Sequence, residues 1–209
     1  MMKIDSVASQ PDRAGRHTVR FEDGSSMRLY RQTVEDFGLY AGKELTDEEM
    51  KNLRKSAGEM SAKMRAVRIV SASSVSKRDL EYRLVQKGED PKQAKQAVEW
   101  MSDLNLLDDA KTAEQIVYRC IHKGYGLARA KQALYEKRIP KEYWANALED
   151  YPDQTDKIIE FLHARLKNGR DEREVRRATD ALLRRGHSYQ EIRRAMQQLD
   201  FDEDFQEDF

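Results

Sequence analysis

Cys120 is the one cysteine in 209 residues, so no intramolecular disulfide framework can form and a reducing compartment suits the chain. Its neighbours, "IVYRCI", read as a helix interior, where a lone cysteine acts as a small buried hydrophobe. No apolar run approaches a membrane span, and the opening "MMKIDSVASQPDR" has no signal-peptide core. The expectation is a cytoplasmic protein with no membrane partner. Four prolines and ten glycines are few for this length, and 36% charged against 39% apolar residues suits helices with one buried and one solvated face.

Signatures of catalysis are missing too. No nucleophile–base pair, P-loop, dinucleotide fingerprint or metal-ligand spacing occurs. His17, His122, His163 and His187 are scattered singly and read as surface or helix-end residues. Asp108 and Asp109 are adjacent, and adjacent residues on a helix do not face each other, so the pair reads as a helix N-terminus rather than a catalytic dyad. The chain is expected to be no enzyme and to carry no cofactor or metal.

What is present is organised. "HTVRFEDGSSMRLYR" alternates apolar residues (Val19, Phe21, Met27, Leu29) about Asp23-Gly24, a hairpin signal, and "KIDSVAS" adds a third strand. Thr46 and Glu49 form a capping box, and Met50, Leu53, Ala57, Met60, Met64 and Val67 then make one stripe on a helix of about six turns. Gly58 inside that helix has no reason in the sequence.

From about residue 62 the chain repeats. With Gly88, Arg138 and Gly186 superimposed, Leu84, Leu134 and Leu182 align four residues before, and Leu80, Ala130 and Ala178 eight before. Ala97, Ala147 and Ala195 align nine after. Ser76 to Asp79 and Ser188 to Glu191 open helices as capping boxes, and Pro91 and Pro140 stand at first helical positions. Each unit reads as helix, turn, helix, preceded by one more helix near 62–72, 109–123 and 156–168. The expected fold is mainly α: three tandem three-helix repeats forming an elongated curved stack, preceded by a small N-terminal β-hairpin segment and a long helix. The divisions are 1–45 for the hairpin segment, 46–108 for the long helix and first repeat, 109–152 and 153–199 for the second and third repeats, and 200–209 for an acidic tail.

Formal net charge is zero, but it is unevenly spread. "DFDEDFQEDF" at 200–209 holds six acids and no base, whereas 157–199 holds eleven Lys or Arg against six acids. The tail reads as a disordered solubilising end, with mimicry of an anionic ligand as the alternative. Arg119, Lys123, Arg129, Lys131, Lys137 and Arg138 in the second repeat recur at steps that line a face. So do Arg173, Arg176, Arg177, Arg184, Arg185, Arg193 and Arg194 in the third. Tyr118, Tyr125 and Tyr135 interleave with the first group, a composition shared by protein interfaces and nucleic-acid grooves.

Three stretches, "VSKRDLEYRLVQKG", "DLNLLDDAKTAE" and "HKGYGLARAKQALYEKRIPKEYWANAL", resemble the corresponding parts of the RecX family, regulators of the recombinase RecA. Ser76, Asp79, Leu80, Lys87 and Gly88 match its first helix, with Asp for Glu. Leu107, Asp108 and Asp109 match its acidic helix start, and Gly126, Arg129, Leu134 and Ile139 match much of the third stretch. "LYAGKELTDEE" resembles the strand-to-helix passage of longer members. The chain departs from the pattern at "SASSV" (71–75), where a basic Arg-x-Arg is usual, at Thr112, where an aromatic is usual, and at Arg138, which replaces a glycine. The resemblance implies a non-enzymatic protein that binds the RecA filament on single-stranded DNA; a monomer is expected, with single-stranded DNA itself as a further candidate partner. It would lie in the filament groove and damp ATP hydrolysis and strand exchange. A helical protein binding DNA without RecA is the alternative, and a helical-repeat adaptor for an unrelated protein is a third reading.

Overall fold

The computed structural model describes residues 1–166 and 171–206, the last seven of these by backbone path alone. The chain divides into two compact units, Met1–Leu107 and Asp108–Phe209.

In the first unit, strands β1 (Met2–Val7), β2 (Arg16–Phe21) and β3 (Ser26–Tyr30) are antiparallel neighbours, and β4 (Glu44–Leu45) pairs with β1, giving the order β3-β2-β1-β4. Val19 lies opposite Met27 across the turn, and Gly24 takes the positive φ that the turn needs. Helix α1 (Arg31–Asp36), not legible in the sequence, and β4, which falls in the stretch resembling a strand-to-helix passage, close this small domain. The hairpin cannot stand alone in water. It docks on the start of helix α2 (Asp47–Ala72), where Met50 and Leu53 join Ile4, Val19, Phe21, Leu29, Leu39 and Leu45 in one core. Farther along α2, Arg68 donates to the Tyr30 hydroxyl at 2.7 Å and the Ala14 carbonyl at 2.9 Å.

The same 26-residue helix supplies the first helix of the first repeat, so the expected separate segment at 62–72 is its second half. The expected stripe holds at Met50 and Leu53 and then shifts: Met60, Met64 and Val67 are half-buried, and the buried positions are Ala62 and Ala66. The cause is the partner. Helix α4 (Pro91–Asp103) contributes Ala94 and Ala97 to the same core, and four alanines let two backbones come closer than methionines would. Gly58 belongs to this approach, because a Cβ there would stand 2.7 Å from Gln93 Cδ of α4.

Helix α3 (Lys77–Gln86) connects them in sequence and adds Leu80 and Leu84 to the same core. The second unit repeats the arrangement with α5 (Asp109–His122), α6 (Leu127–Glu136) and a 3-10 turn (Lys141–Tyr143) running into α7 (Trp144–Leu148). Pro140 therefore caps a 3-10 turn and does not open an α-helix as expected. Helices α8 (Thr155–Arg165), α9 (Glu172–Arg184) and α10 (Tyr189–Gln206) form the third repeat. Helix α8 ends at Arg165 with Leu166 as its C-cap, short of the expected 168, and 167–168 lie outside the described residues. The backbone of α10 continues as helix to Gln206, through most of the stretch expected to be a disordered tail, and 207–209 lie outside the described residues.

The anchors of the repeat are one backbone motif made three times. Gly88, Arg138 and Gly186 have φ of 89°, 53° and 87°. Their amides donate to Val85, Tyr135 and Leu183, and the next amides donate to the buried Leu84, Leu134 and Leu182. This is the Schellman ending, in which two amides beyond the helix satisfy its last carbonyls. The residue that follows is buried each time. Glu89 pairs with Arg65 at 2.6 Å, Ile139 joins the second repeat's core, and the His187 Nε2–H donates to the Gly124 carbonyl at 3.0 Å.

The third ending is also the joint between repeats two and three. Gly126, at the start of α6, donates its amide to the Arg185 carbonyl at 3.0 Å, and the Ala128 amide approaches the Gly186 carbonyl at 3.3 Å. A Cβ on Gly126 would stand 2.6 Å from the His187 nitrogen, and one on Gly186 would stand 2.9 Å from Arg129 Cα. The space around Gly88 is open. Gly88→Ala should therefore cost only the left-handed strain, about 1–2 kcal/mol. Gly186→Ala adds a backbone collision and should cost at least about 3 kcal/mol. Denaturant unfolding measures both, and equal losses would contradict the joint.

His187 makes a second prediction. It is buried, its Nδ1 has no partner, and burial pushes its imidazolium pKa down, with Arg185 pushing the same way and the Gly124 carbonyl and Glu191 opposing. The unfolded chain then takes up this proton first, so the contribution is complete above the ordinary imidazole value near 6.5 and is lost as pH falls below it. Unfolding free energy should drop between pH 7 and pH 5, and His187→Gln should flatten that part of the slope. An unchanged slope would show that His187 does not titrate with folding.

Candidate partner interface

All thirteen basic residues singled out in the sequence lie in the second unit, but they do not form one face. At least six are engaged within the fold, Lys137 and Arg138 among them. Arg129 pairs with Glu136 at 2.9 Å and, with Gln132, holds that carboxyl below its ordinary range. Arg119 Nε donates to the Gln115 carbonyl at 3.1 Å. Arg194 bonds Asp153 at 2.8 Å and Thr155 Oγ1 at 3.3 Å, tying α10 to the start of α8. Hydrogen bonds from Thr155, with Arg194 adding to them, keep the Asp153 carboxyl below its usual range. Arg185 lies 4.3 Å from the centre of the Phe161 ring on α8.

The strongest convergence is between α8 and α9. Arg177 and Arg184, about two turns apart on one flank of α9, meet Arg165 from the end of α8 around a cleft of about 330 Å³. Ala178 and Ala181 give it a low floor, and Glu174 is the one carboxylate among the described lining residues. Arg165 also stands 5.7 Å from the Phe161 ring, so Phe161 holds both Arg165 and Arg185. Guanidinium groups bind carboxylate and phosphate through parallel N–H donors, so three around one cleft would suit an anionic group.

Arg165 escaped the sequence reading because it lies outside the α9 pattern, and only the packing of α8 on α9 brings it in. Arg173, Arg176 and Arg193 are exposed, and Arg176 is turned away from Arg177 by the roughly 100° between adjacent helical residues. In the second repeat Lys123 and Lys131 are exposed, and Lys137 and Arg138 are half-buried at the end of α6. Tyr118 and Tyr135 are exposed, whereas Tyr125 is half-buried and its carbonyl accepts from the Tyr151 hydroxyl at 2.6 Å. Tyr118 meets His122 edge-on, with 2.7 Å between Oη and Nε2.

The remaining candidates have structural roles. Asp108 caps α5, accepting from the Lys111 amide at 3.0 Å, and the buried Thr112 hydroxyl donates to the Asp108 carbonyl at 2.6 Å. Cys120 is buried in the second repeat's core, which pushes its thiol pKa up. His187 is a core residue at the repeat joint rather than a surface one. Among the described residues no three His, Cys, Asp or Glu side chains gather as a metal site, and no described helix is long and apolar enough to cross a membrane.

No protein-family model matches the chain. It is 24% identical over 211 residues to the Regulatory protein RecX of Clostridioides difficile, covering 96% of this chain and 97% of that one. It is 29% identical over 133 residues to the Regulatory protein RecX of Chromohalobacter salexigens, covering 63% and 88%. Among solved structures, a crystal structure of a regulatory protein RecX aligns with a TM-score of 0.60 at 18% identity, covering 94% of this chain and all of that one. The structure of RecX from Lactobacillus salivarius aligns at 0.57 and 22% identity, covering 70% and 99%. These likenesses in structure establish a shared fold.

An anion held by the cleft would stabilise the folded chain by mass action. Sulfate at ten times its dissociation constant should add about 1.4 kcal/mol over chloride at equal ionic strength. Arg177→Ala with Arg184→Ala should remove that increment, read as a shift in melting temperature. Equal stabilisation of both proteins would place the anion elsewhere.

Proposed function

We propose that the chain is a regulator of the RecX type, acting on the recombinase RecA by binding its filament on single-stranded DNA. The similarity along nearly the whole length of a curated relative carries this reading. The protein acts without catalysis of its own, in the cytoplasm, as a monomer and with no cofactor. Binding slows ATP hydrolysis by the filament and the strand exchange that depends on it.

The second unit supports this role with arginines aimed at anionic partners, either acidic protein surface or DNA phosphates. The chain has two compact units, and contacts from both would raise affinity through effective concentration more than either surface alone. A DNA-binding role without RecA uses the same arginines and predicts steeply salt-dependent affinity for bare DNA.

Reversing Arg176, Arg177, Arg184 and Arg185 to Glu together should abolish filament binding and relieve the slowing of ATP hydrolysis. A single reversal of Arg176, which does not line the cleft, should cost less than a single reversal of Arg177. Unchanged filament affinity in the fourfold variant would refute the placement of this face on the filament.

A further inference from the structure

The sheet of the first unit has two faces, and only one of them meets the core. On β2 and β3, Val19, Phe21 and Leu29 point into that core, so the alternate residues face the other way. The register sets Arg16 opposite Tyr30, Thr18 opposite Arg28 and Arg20 opposite Ser26 on this outer face. None of the six is aliphatic, and Arg20, Ser26 and Arg28 are exposed. Arg20 and Arg28 lie on the diagonal between two neighbouring pairs, which places their Cα atoms about 7–8 Å apart.

The carboxylates around this face have other partners. Asp12 holds Arg16 at 2.8 Å, and Glu22 holds Lys3 at 2.7 Å. Asp23 accepts from the Ser25 hydroxyl at 2.6 Å, and Asp5 from the Ser6 hydroxyl at 3.2 Å. Among the described residues no ion pair involves Arg20 or Arg28. Where β3 ends, Arg68 brings a third guanidinium to 6.0 Å from the centre of the Tyr30 ring. Its hydrogen bonds to the Tyr30 hydroxyl and the Ala14 carbonyl fix where it points, and both acceptors are neutral, so its charge is not cancelled by them.

The composition of the face separates two kinds of anionic partner. A protein interface is built around an apolar centre, and this face has none. Arginines interleaved with hydroxyls, without an apolar centre, suit contacts to a phosphate backbone. The Tyr30 ring already lies under Arg68, so it offers no open platform for a base. We infer that Arg20 and Arg28, with Thr18 and Ser26 between them and Arg68 beyond, form a nucleic-acid contact that follows the phosphates of a strand without reading its bases. The inference goes beyond the reading above, which draws on arginines of the second unit, and gives the first unit a binding surface of its own.

The test is fluorescence anisotropy of a labelled oligo-dT with the full chain over a salt series, without recombinase. Arg20→Gln with Arg28→Gln should weaken binding roughly tenfold and lower the slope of log affinity against log salt by about 1.4, since each phosphate contact on a single strand contributes about 0.7. A strand of the same length made of abasic deoxyribose phosphates should bind within about twofold of oligo-dT. Melting temperature should stay within about 2 °C of that of the unaltered protein, because both side chains are exposed. The loss should persist when Arg177→Ala and Arg184→Ala are also present, which separates this face from the α8–α9 cleft. An unchanged slope in the double variant, a loss that vanishes in the cleft background, or no binding of oligo-dT by the unaltered protein would overturn the inference. So would an equal loss of affinity for a poly-glutamate peptide, which would make the face a contact for acidic protein. Because no recombinase is present, these signatures without any preference for the filament would refute the regulatory role and leave the strand contact standing.

Discussion

The backbone splice between α9 and α6 is the constraint on which the second unit depends. Carbonyls left over at the end of one helix, those of Arg185 and Gly186, accept from amides left over at the start of another, Gly126 and Ala128. Each helix end meets the other's deficit, and two glycines face each other because neither position has room for a Cβ. The consequences run outward in both directions. His187 is buried with its Nε2 committed to Gly124, while Arg185 is presented to Phe161. Phe161 also carries Arg165, which completes the cleft with Arg177 and Arg184. A helix ending thus positions the arginines of the cleft.

Charge in this chain is therefore divided between structure and surface. Arg65, Arg129 and Arg194 have carboxylate partners, and Arg185 has an aromatic one. The exposed ion pairs among these add little stability, and their effect is to fix where a guanidinium points. A net charge of zero hides this division. The arginines around the α8–α9 cleft and Lys131 of α6 are exposed, whereas counting basic residues along the sequence treats all of them alike.

Much of the fold was legible because its repeated feature is local. A Schellman ending imprints a left-handed residue and a buried leucine four positions earlier, so Gly88, Arg138 and Gly186 align from sequence alone. The caps at Thr46, Ser76 and Asp108 are equally local, as is the turn at Asp23-Gly24. What escaped was set by distant partners. Gly58 makes sense only against Gln93, and the methionine stripe gave way to Ala62 and Ala66 because α4 approaches on small residues. The two-residue β4 is too short to carry alternation. At the site, Arg177 and Arg184 could be read from helical spacing, but Arg165 could not, and nothing in the sequence separates the committed Arg129 from the exposed Lys131.

The most direct test of the regulatory role is a titration of the protein against RecA filaments on single-stranded DNA, free RecA and bare DNA across one salt series, with ATP hydrolysis followed in the filament samples. The account predicts tighter binding to the filament than to either component at every salt concentration, with hydrolysis slowing as the filament is occupied. Equal affinity for filament and bare DNA, with hydrolysis unchanged, would contradict it.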